Sequence, residues 1–306
     1  MMMSLLKDHI VALGDLFMPR ECLACGCRLG MRERHLCLSC AADTPYTRFW
    51  LQPHNPLADR FNAVLERHRG TEPMDYAYAV ALMYYKGAYR AIPRALKYHG
   101  DLAAGRHFGA LLGRRLAVAP HFADIDLVIP VPLHWTRRRA RGYNQAAILA
   151  QALVDGFRSA PRCPGSAGHD EAPVTPGLTG SLPVFRTDLL VRARRTRTQT
   201  RLSVEQKARN VASAFQVPER FSFLSRLQGL FPLRHYGLDI PPRHSGLDPE
   251  SPATALASAR HILLVDDTFT TGATLYACYA ALRPYTSARI SIATLAAVEG
   301  TPSAGP

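Results

Sequence analysis

The stretch that decides the fold is His261-Ile-Leu-Leu-Val-Asp-Asp-Thr-Phe-Thr-Thr-Gly-Ala-Thr-Leu275. Its opening residues are largely apolar and partly β-branched, which predicts a buried central strand over His261–Val265. Asp266 and Asp267 follow at the carboxyl end of that strand. Thr268-Phe-Thr-Thr-Gly-Ala-Thr274 then leads into a helix predicted over Gly272–Leu282, with Pro284 just past its end, where a stop signal belongs. A further strand over Ala288–Leu295 completes a strand–loop–helix–strand unit. In open parallel sheets ligands bind at the carboxyl ends of the strands, so the segment from Asp266 to Thr274 is the candidate site.

The residue types in that segment point to a particular chemistry. Threonine hydroxyls and main-chain amides converge at a helix N-terminus, which suits an anion, and Gly272 lets the backbone approach it closely. Two adjacent carboxylates would repel a phosphate; their natural partners are hydroxyl groups or a bridging metal ion. Phosphate on one side and a vicinal diol on the other describe a ribose 5-phosphate group. The plain alternative makes Asp266 a capping or turn residue and the threonines ordinary loop. The ordered string of strand, Asp-Asp and Thr-x-Thr-Thr-Gly-x-Thr is far more specific than a lone Asp-Asp pair.

Working outward, strands are predicted at Tyr78–Tyr85 and Asp126–Val131, and helices at Ala88–Tyr98, Leu102–Leu116 and Gly142–Asp155. The alternation of strand and helix predicts an α/β fold built on a parallel sheet flanked by helices. Thr44–Pro73, with four prolines and little periodicity, reads as a linker (44–74) between an N-terminal part and a main domain over 75–298. Leu189–Val191 reads as a strand, and Ser203–Phe215 as a helix because Ser203 and Gln206 have capping-box spacing. Gly156–Pro183 and Pro218–Ala257 are rich in loop formers and without period. They read as disordered insertions, with a mobile lid as the alternative. Residues 299–306 read as a flexible tail.

The net charge of +13 is unevenly spread: Pro130–Phe215 carries 14 Lys/Arg against 5 Asp/Glu. That concentration suggests a polyanionic ligand, nucleic acid or a small molecule with several phosphates, against the bland reading of a solvated basic face. Within it, Pro130-Val-Pro-Leu-His134 closes a buried strand, and Arg137-Arg-Arg139 and Arg141-Gly-Tyr-Asn-Gln145 follow. Arginine forks suit phosphate oxygens, so together with Arg194–Arg201 and Arg209 these residues read as a polyphosphate clamp. No aromatic residue lies between Arg186 and Arg209, which weighs against a stacking platform for single strands there. No apolar run has the roughly 18–20 residues of a membrane span. The N-terminal residues 1–19 alternate apolar and charged residues like a short amphipathic helix rather than a signal peptide, so the expected location is the cytoplasm.

Five of the seven cysteines lie between positions 22 and 40. Cys22-Leu-Ala-Cys25 and Cys37-Leu-Ser-Cys40 have the spacing of a four-cysteine zinc site, which predicts a zinc-ribbon-like module over 20–43. Cys27 is spare. The alternative, a set of small buried hydrophobes, does not explain the paired spacing.

Taken in order, these motifs carry a resemblance. The Val265-Asp-Asp to Thr-Thr-Gly-Ala-Thr274 string resembles the phosphoribosyl pyrophosphate (PRPP) motif of type I phosphoribosyltransferases. The paired cysteines, Leu96-Lys-Tyr98, Val131-Pro-Leu-His134, Arg141-Gly-Tyr-Asn-Gln145, Thr198-Gln199, Arg209-Asn210 with Phe215 and that loop together resemble the ComF family of competence-associated phosphoribosyltransferase-like proteins. The resemblance implies a type I phosphoribosyltransferase-like fold in which Asp266 and Asp267 hold the ribose hydroxyls with Mg2+. It implies that Thr268, Thr270, Thr271, Gly272, Ala273 and Thr274 cradle the 5-phosphate. Pro132, Leu133 and His134 would form the pyrophosphate loop, with Arg137 and Arg141 beside it and a variable hood over 76–116 for the acceptor base. It also implies a link to DNA uptake, with competence proteins and single-stranded DNA as partners, and a non-catalytic binding module as the alternative to an enzyme.

Overall fold

In the computed structural model the strands predicted around the acidic pair join one sheet. The structure describes residues 19–68, 75–160, 182–193, 214–218 and 251–300, and structural statements below concern these residues. The strands are β1 (Ala79–Tyr84), β2 (Leu127–Pro130), β3 (Val184–Phe185), β6 (His261–Phe269) and β7 (Arg289–Ala297), in the order β1-β7-β6-β2-β3 with every pair parallel. A separate antiparallel pair joins β4 (Val191–Arg192) to β5 (Phe215–Gln216). Strand β6 lies in the middle, and Ile262, Leu263 and Leu264 are fully buried. That is why its sequence is continuously apolar rather than alternating.

β6 is longer than its apolar run. It continues through Asp266, Asp267 and Thr268 because β7 stays in register beside it, with Asp266 opposite Thr294 and Thr268 opposite Ala296. Composition marks carboxylates as loop-forming, and the ladder with a neighbouring strand overrides that.

The described helices are α1 (Leu38–Ala42), α2 (Pro56–Arg67), α3 (Ala91–Tyr98), α4 (Leu102–Ala117), α5 (Trp135–Arg141), α6 (Gln145–Ser159), α7 (Pro252–Ser258) and α8 (Ala273–Leu282). Helices α4 and α6 pack on each other, and α6 also on β2 and β6. The α4–α6 approach is close enough to require glycine: a Cβ added at Gly113 would lie 2.0 Å from the Leu153 carbonyl oxygen, and one at Gly156 2.2 Å from that of Ala110. Helices α2 and α8 pack on each other and on β1 and β6 respectively.

Several expectations are corrected. The segment 44–74 is not a linker, since its middle forms α2. Asn55 caps that helix by accepting from the Leu57 and Ala58 amides at 3.1 and 3.0 Å, and Leu57, Ala58, Phe61 and Leu65 are buried. Pro56, which reads as a breaker, sits at the first helical turn, where its missing N–H costs nothing. The stretch 156–183 begins as helix, because α6 runs on to Ser159 and buries Phe157. The stretch 218–257 ends as helix, because Ser251 and Pro252 start α7 and Leu256 is buried. Phe215 belongs to β5 and not to a helix.

The region 76–116, where the hood is expected, is shared between the sheet, a helix layer and the cavity. Its strand joins the sheet, its second helix packs on α6, and only the region around α3 faces a cavity. In the four-cysteine segment, Cys22, Leu29 and Leu36 belong to the same buried core as the sheet. Among the described residues no helix is long and apolar enough to cross a membrane. The expected N-terminal helix, the interiors of both insertions, Arg194–Arg201, Arg209-Asn210 and the tail from 301 lie outside the described residues.

Candidate functional site

β2 and β6 are adjacent and parallel, so their carboxyl ends open into the same space. That space is a cavity of about 660 Å³ lined by residues from four parts of the chain. β6 and its following loop contribute Asp266, Asp267, Thr268, Thr270 and Thr274; the segment after β2 contributes Val131, Pro132, Leu133, Arg137, Arg141 and Asn144. Helix α3 adds Arg94, Lys97 and Tyr98, and β4 adds Arg192.

The chain turns from β2 into this wall by a series of local devices. His134 is buried and caps α5, its Nδ1 accepting from the Thr136 amide at 3.3 Å. Helix α5 ends on Gly142 in the left-handed conformation (φ 80°), the only region in which the chain can reverse so tightly without strain. Tyr143 donates its hydroxyl to the Leu96 carbonyl. Asn144 caps α6 and donates to the Val131 carbonyl at 3.1 Å, which ties the end of β2 to the start of α6. On the other wall Gly272 (φ 78°) begins α8, and a Cβ there would sit 3.0 Å from the Phe269 ring.

Of the residues expected at the site, Pro132, Leu133, Arg137, Arg141, Asp266, Asp267, Thr268, Thr270 and Thr274 line the cavity. Thr271, Gly272 and Ala273 shape the turn below it, the Thr271 hydroxyl lying 3.5 Å from the Ala273 amide. His134 follows directly on the cavity-lining Leu133, and its ring caps α5 rather than lining the cavity.

Sequence reasoning missed Arg94, Lys97, Asn144 and Arg192 as site residues. Leu96-Lys-Tyr98 carried part of the family resemblance but gave no reason to place its lysine beside Asp267. Arg192 lies in a two-residue strand with no motif of its own. These residues bring the cavity to five arginine and lysine side chains against two carboxylates.

The electrostatics follow from that crowding. Lys97 Nζ lies 3.1 Å from one Asp267 oxygen and 3.3 Å from the other. Burial, and then the neighbouring Asp267 charge, push the Asp266 carboxyl up to about 7. One Asp266 oxygen accepts from the Asp267 amide at 2.8 Å. Arg141 lies over the Tyr98 ring, 5.5 Å from its centre. Carboxylate oxygens suit a hard divalent cation. Here Lys97 engages Asp267 and Asp266 is partly protonated near neutral pH, so a cation at this pair would compete with both Lys97 and a proton.

The four-cysteine cluster is a second candidate site. The sulfurs of Cys22, Cys25, Cys37 and Cys40 all lie within 4.8 Å of one another, which makes the group able to hold a metal ion. A tetrahedral zinc site has Zn–S distances of about 2.3 Å, and so sulfurs about 3.8 Å apart. Cys25 and Cys37 are 3.8 Å apart, so the donor set fits. Hydrogen bonds from the Cys27 amide and neighbouring thiols lower Cys25 to about 6, toward the thiolate that binds metal. The fifth thiol, Cys27, is pushed up to about 12 by its hydrogen bonds with Cys25 and Cys37, and Cys40 is raised as well, chiefly by its hydrogen bond with Cys25, so the paired spacing and not the titration marks Cys27 as spare.

In comparisons with known proteins, no family model matches the chain and no curated protein matches it. The chemistry of the two sites therefore rests on their residues.

Proposed function

We propose that the cavity binds a phosphoribosyl ligand, Mg-PRPP or a related ribose 5-phosphate compound, and that the chain is a ComF-like phosphoribosyltransferase-type protein of the cytoplasm. The observation that carries this reading is the convergence in one cavity of an acidic pair, a threonine loop at a helix N-terminus and five cationic side chains. Each part matches one part of the ligand. Thr268, Thr270, Thr274 and the amides at the start of α8 hold the 5-phosphate. Asp266 and Asp267 accept from the ribose hydroxyls, Lys97 moving from Asp267 toward the phosphates as the ligand enters. Arg137, Arg141 and Arg192 hold the diphosphate.

If the group is transferred, positive charge grows on ribose C1 as the diphosphate leaves. The arginines then stabilise the departing negative charge, and the fixed 5-phosphate keeps the sugar in place. Magnesium, when bound with the ligand, supplies further neutralisation of the diphosphate. In the same reading the four cysteines hold a closed structural zinc, which stabilises and does not catalyse. The expected result is micromolar binding of Mg-PRPP by calorimetry, with PRPP alone binding more weakly. No heat up to millimolar PRPP would sink the reading.

A second reading, a non-catalytic module that binds single-stranded DNA with competence proteins, is favoured by one observation. Tyr98 is 67% exposed on the cavity wall with Arg141 over its ring, and Trp135, 63% exposed, opens the arginine-bearing helix α5. Exposed aromatics among arginines give bases a surface to stack on. This reading predicts oligonucleotide affinity that falls steeply with log[salt] and drops at least about fivefold in Trp135→Ala. A flat salt response rules it out.

A further inference from the structure

Arg60 lies in the segment that reads as linker, yet it reaches the turn on which the phosphate reading depends. From α2 its Nη2 donates to the Thr270 carbonyl at 2.7 Å, and its Nη1 donates to the Val298 carbonyl at 2.7 Å. The guanidinium lies over the Phe269 ring, 5.2 Å from its centre. Its stem runs past Gly300, where an added Cβ would sit 3.0 Å from Arg60 Cδ. Burial lowers its pKa below the ordinary arginine value. Among the described residues Arg60 makes no ion pair, and both of its hydrogen bonds go to main-chain carbonyls. A guanidinium spent on backbone fixes backbone.

We infer that Arg60 is a positioning residue for the sugar-phosphate loop, holding the Thr270–Thr271 peptide in its binding orientation before any ligand arrives. In a trans peptide the C=O and N–H point in opposite directions. With the Thr270 carbonyl drawn toward Arg60, the Thr271 amide is turned away from α2 at the exposed side of the turn. A cation on the carbonyl also polarises the peptide and strengthens that amide as a donor. The same turn is held from β7 by the Val298 amide, which donates to the Phe269 carbonyl at 3.0 Å. A loop ordered in advance does not charge its ordering entropy to the ligand. The ligand part of this inference rests on the phosphoribosyl reading; the preorganisation part does not.

The test uses the full-length protein, wild type, Arg60→Met and Arg60→Lys, with ribose 5-phosphate and Mg-pyrophosphate titrated separately. Arg60→Met keeps the stem on Phe269 and is expected to weaken ribose 5-phosphate about tenfold, leaving Mg-pyrophosphate within about twofold. Arg60→Lys, with one compact cation for two carbonyls, recovers part of the loss. In the free protein, amide exchange at Val298 and Tyr276, whose N–H groups donate to the Phe269 and Gly272 carbonyls of this turn, is expected to speed up about tenfold in Arg60→Met, while Ile262–Val265 is unchanged. Equal weakening of both ligands, or unaltered exchange at those two amides, overturns the inference. Wild-type protein that ignores ribose 5-phosphate overturns the phosphoribosyl reading, and the exchange result then decides the preorganisation by itself.

Discussion

Asp266→Asn is expected to stabilise the free protein at and above neutral pH and to lower its affinity for the phosphoribosyl ligand by about a hundredfold. The two effects have one origin. Burial and the adjacent Asp267 charge hold the Asp266 carboxyl near 7, far above its ordinary 3.8. Between those values the folded chain binds a proton that the unfolded chain has lost. Stability is therefore greatest below the unfolded value and falls as pH rises through the folded one. At about 1.4 kcal/mol per unit of displacement the penalty above pH 7 is on the order of a few kcal/mol. Asparagine carries no charge to bury, so the melting temperature of the wild type relative to the variant should decline from pH 5 to 8, the contributions of His35 and His107 being common to both. The binding loss follows because a neutral amide replaces a charge-assisted acceptor, each such bond being roughly twice as strong as a neutral one. A difference between wild type and variant that is level or rises over that pH range would contradict this account of Asp266.

Removing the metal from the four-cysteine cluster is expected to lower the melting temperature by on the order of 10 °C. The protein should carry one zinc per chain, and Cys37→Ser should lose it, since a closed site has no ligand to spare. The effect should not stay local. Cys22, Leu29 and Leu36 share the main core, and the ring of His35 lies 5.1 Å from His107 and 6.2 Å from Phe108 on α4. Loss of the cluster therefore strips cover from a helix of the main layer. Cys27→Ser is the control and should keep both metal and stability. Zinc content unchanged in Cys37→Ser, or lost equally in Cys27→Ser, would show that the ligand set is wrong. If the apo protein still binds the phosphoribosyl ligand, the two sites are energetically separate.

What the amino-acid order determined by itself is what lies within a few residues of itself. Ile262–Val265 must be buried because nothing polar interrupts it, Gly272 must make the turn because its φ is positive, and the cysteine pairs must approach because two residues separate the members of each. The helix α2 was also written locally, in Asn55, Pro56 and the apolar positions 57, 58, 61 and 65. The density of prolines hid it, because proline both starts and breaks helices. The tertiary structure alone decided which charges share the cavity. Lys97 meets Asp267 across 170 residues, and Arg60 meets Thr270 across 210. Arg192 reaches the acidic pair from a strand of two residues. No local preference encodes such partners: they are set by the order of parallel strands, which brings the ends of β2 and β6 side by side, and by the helices that pack around them. The opening loop therefore carried its acidic pair and threonines in its own residues, while the cationic side chains that face those carboxylates come from the fold.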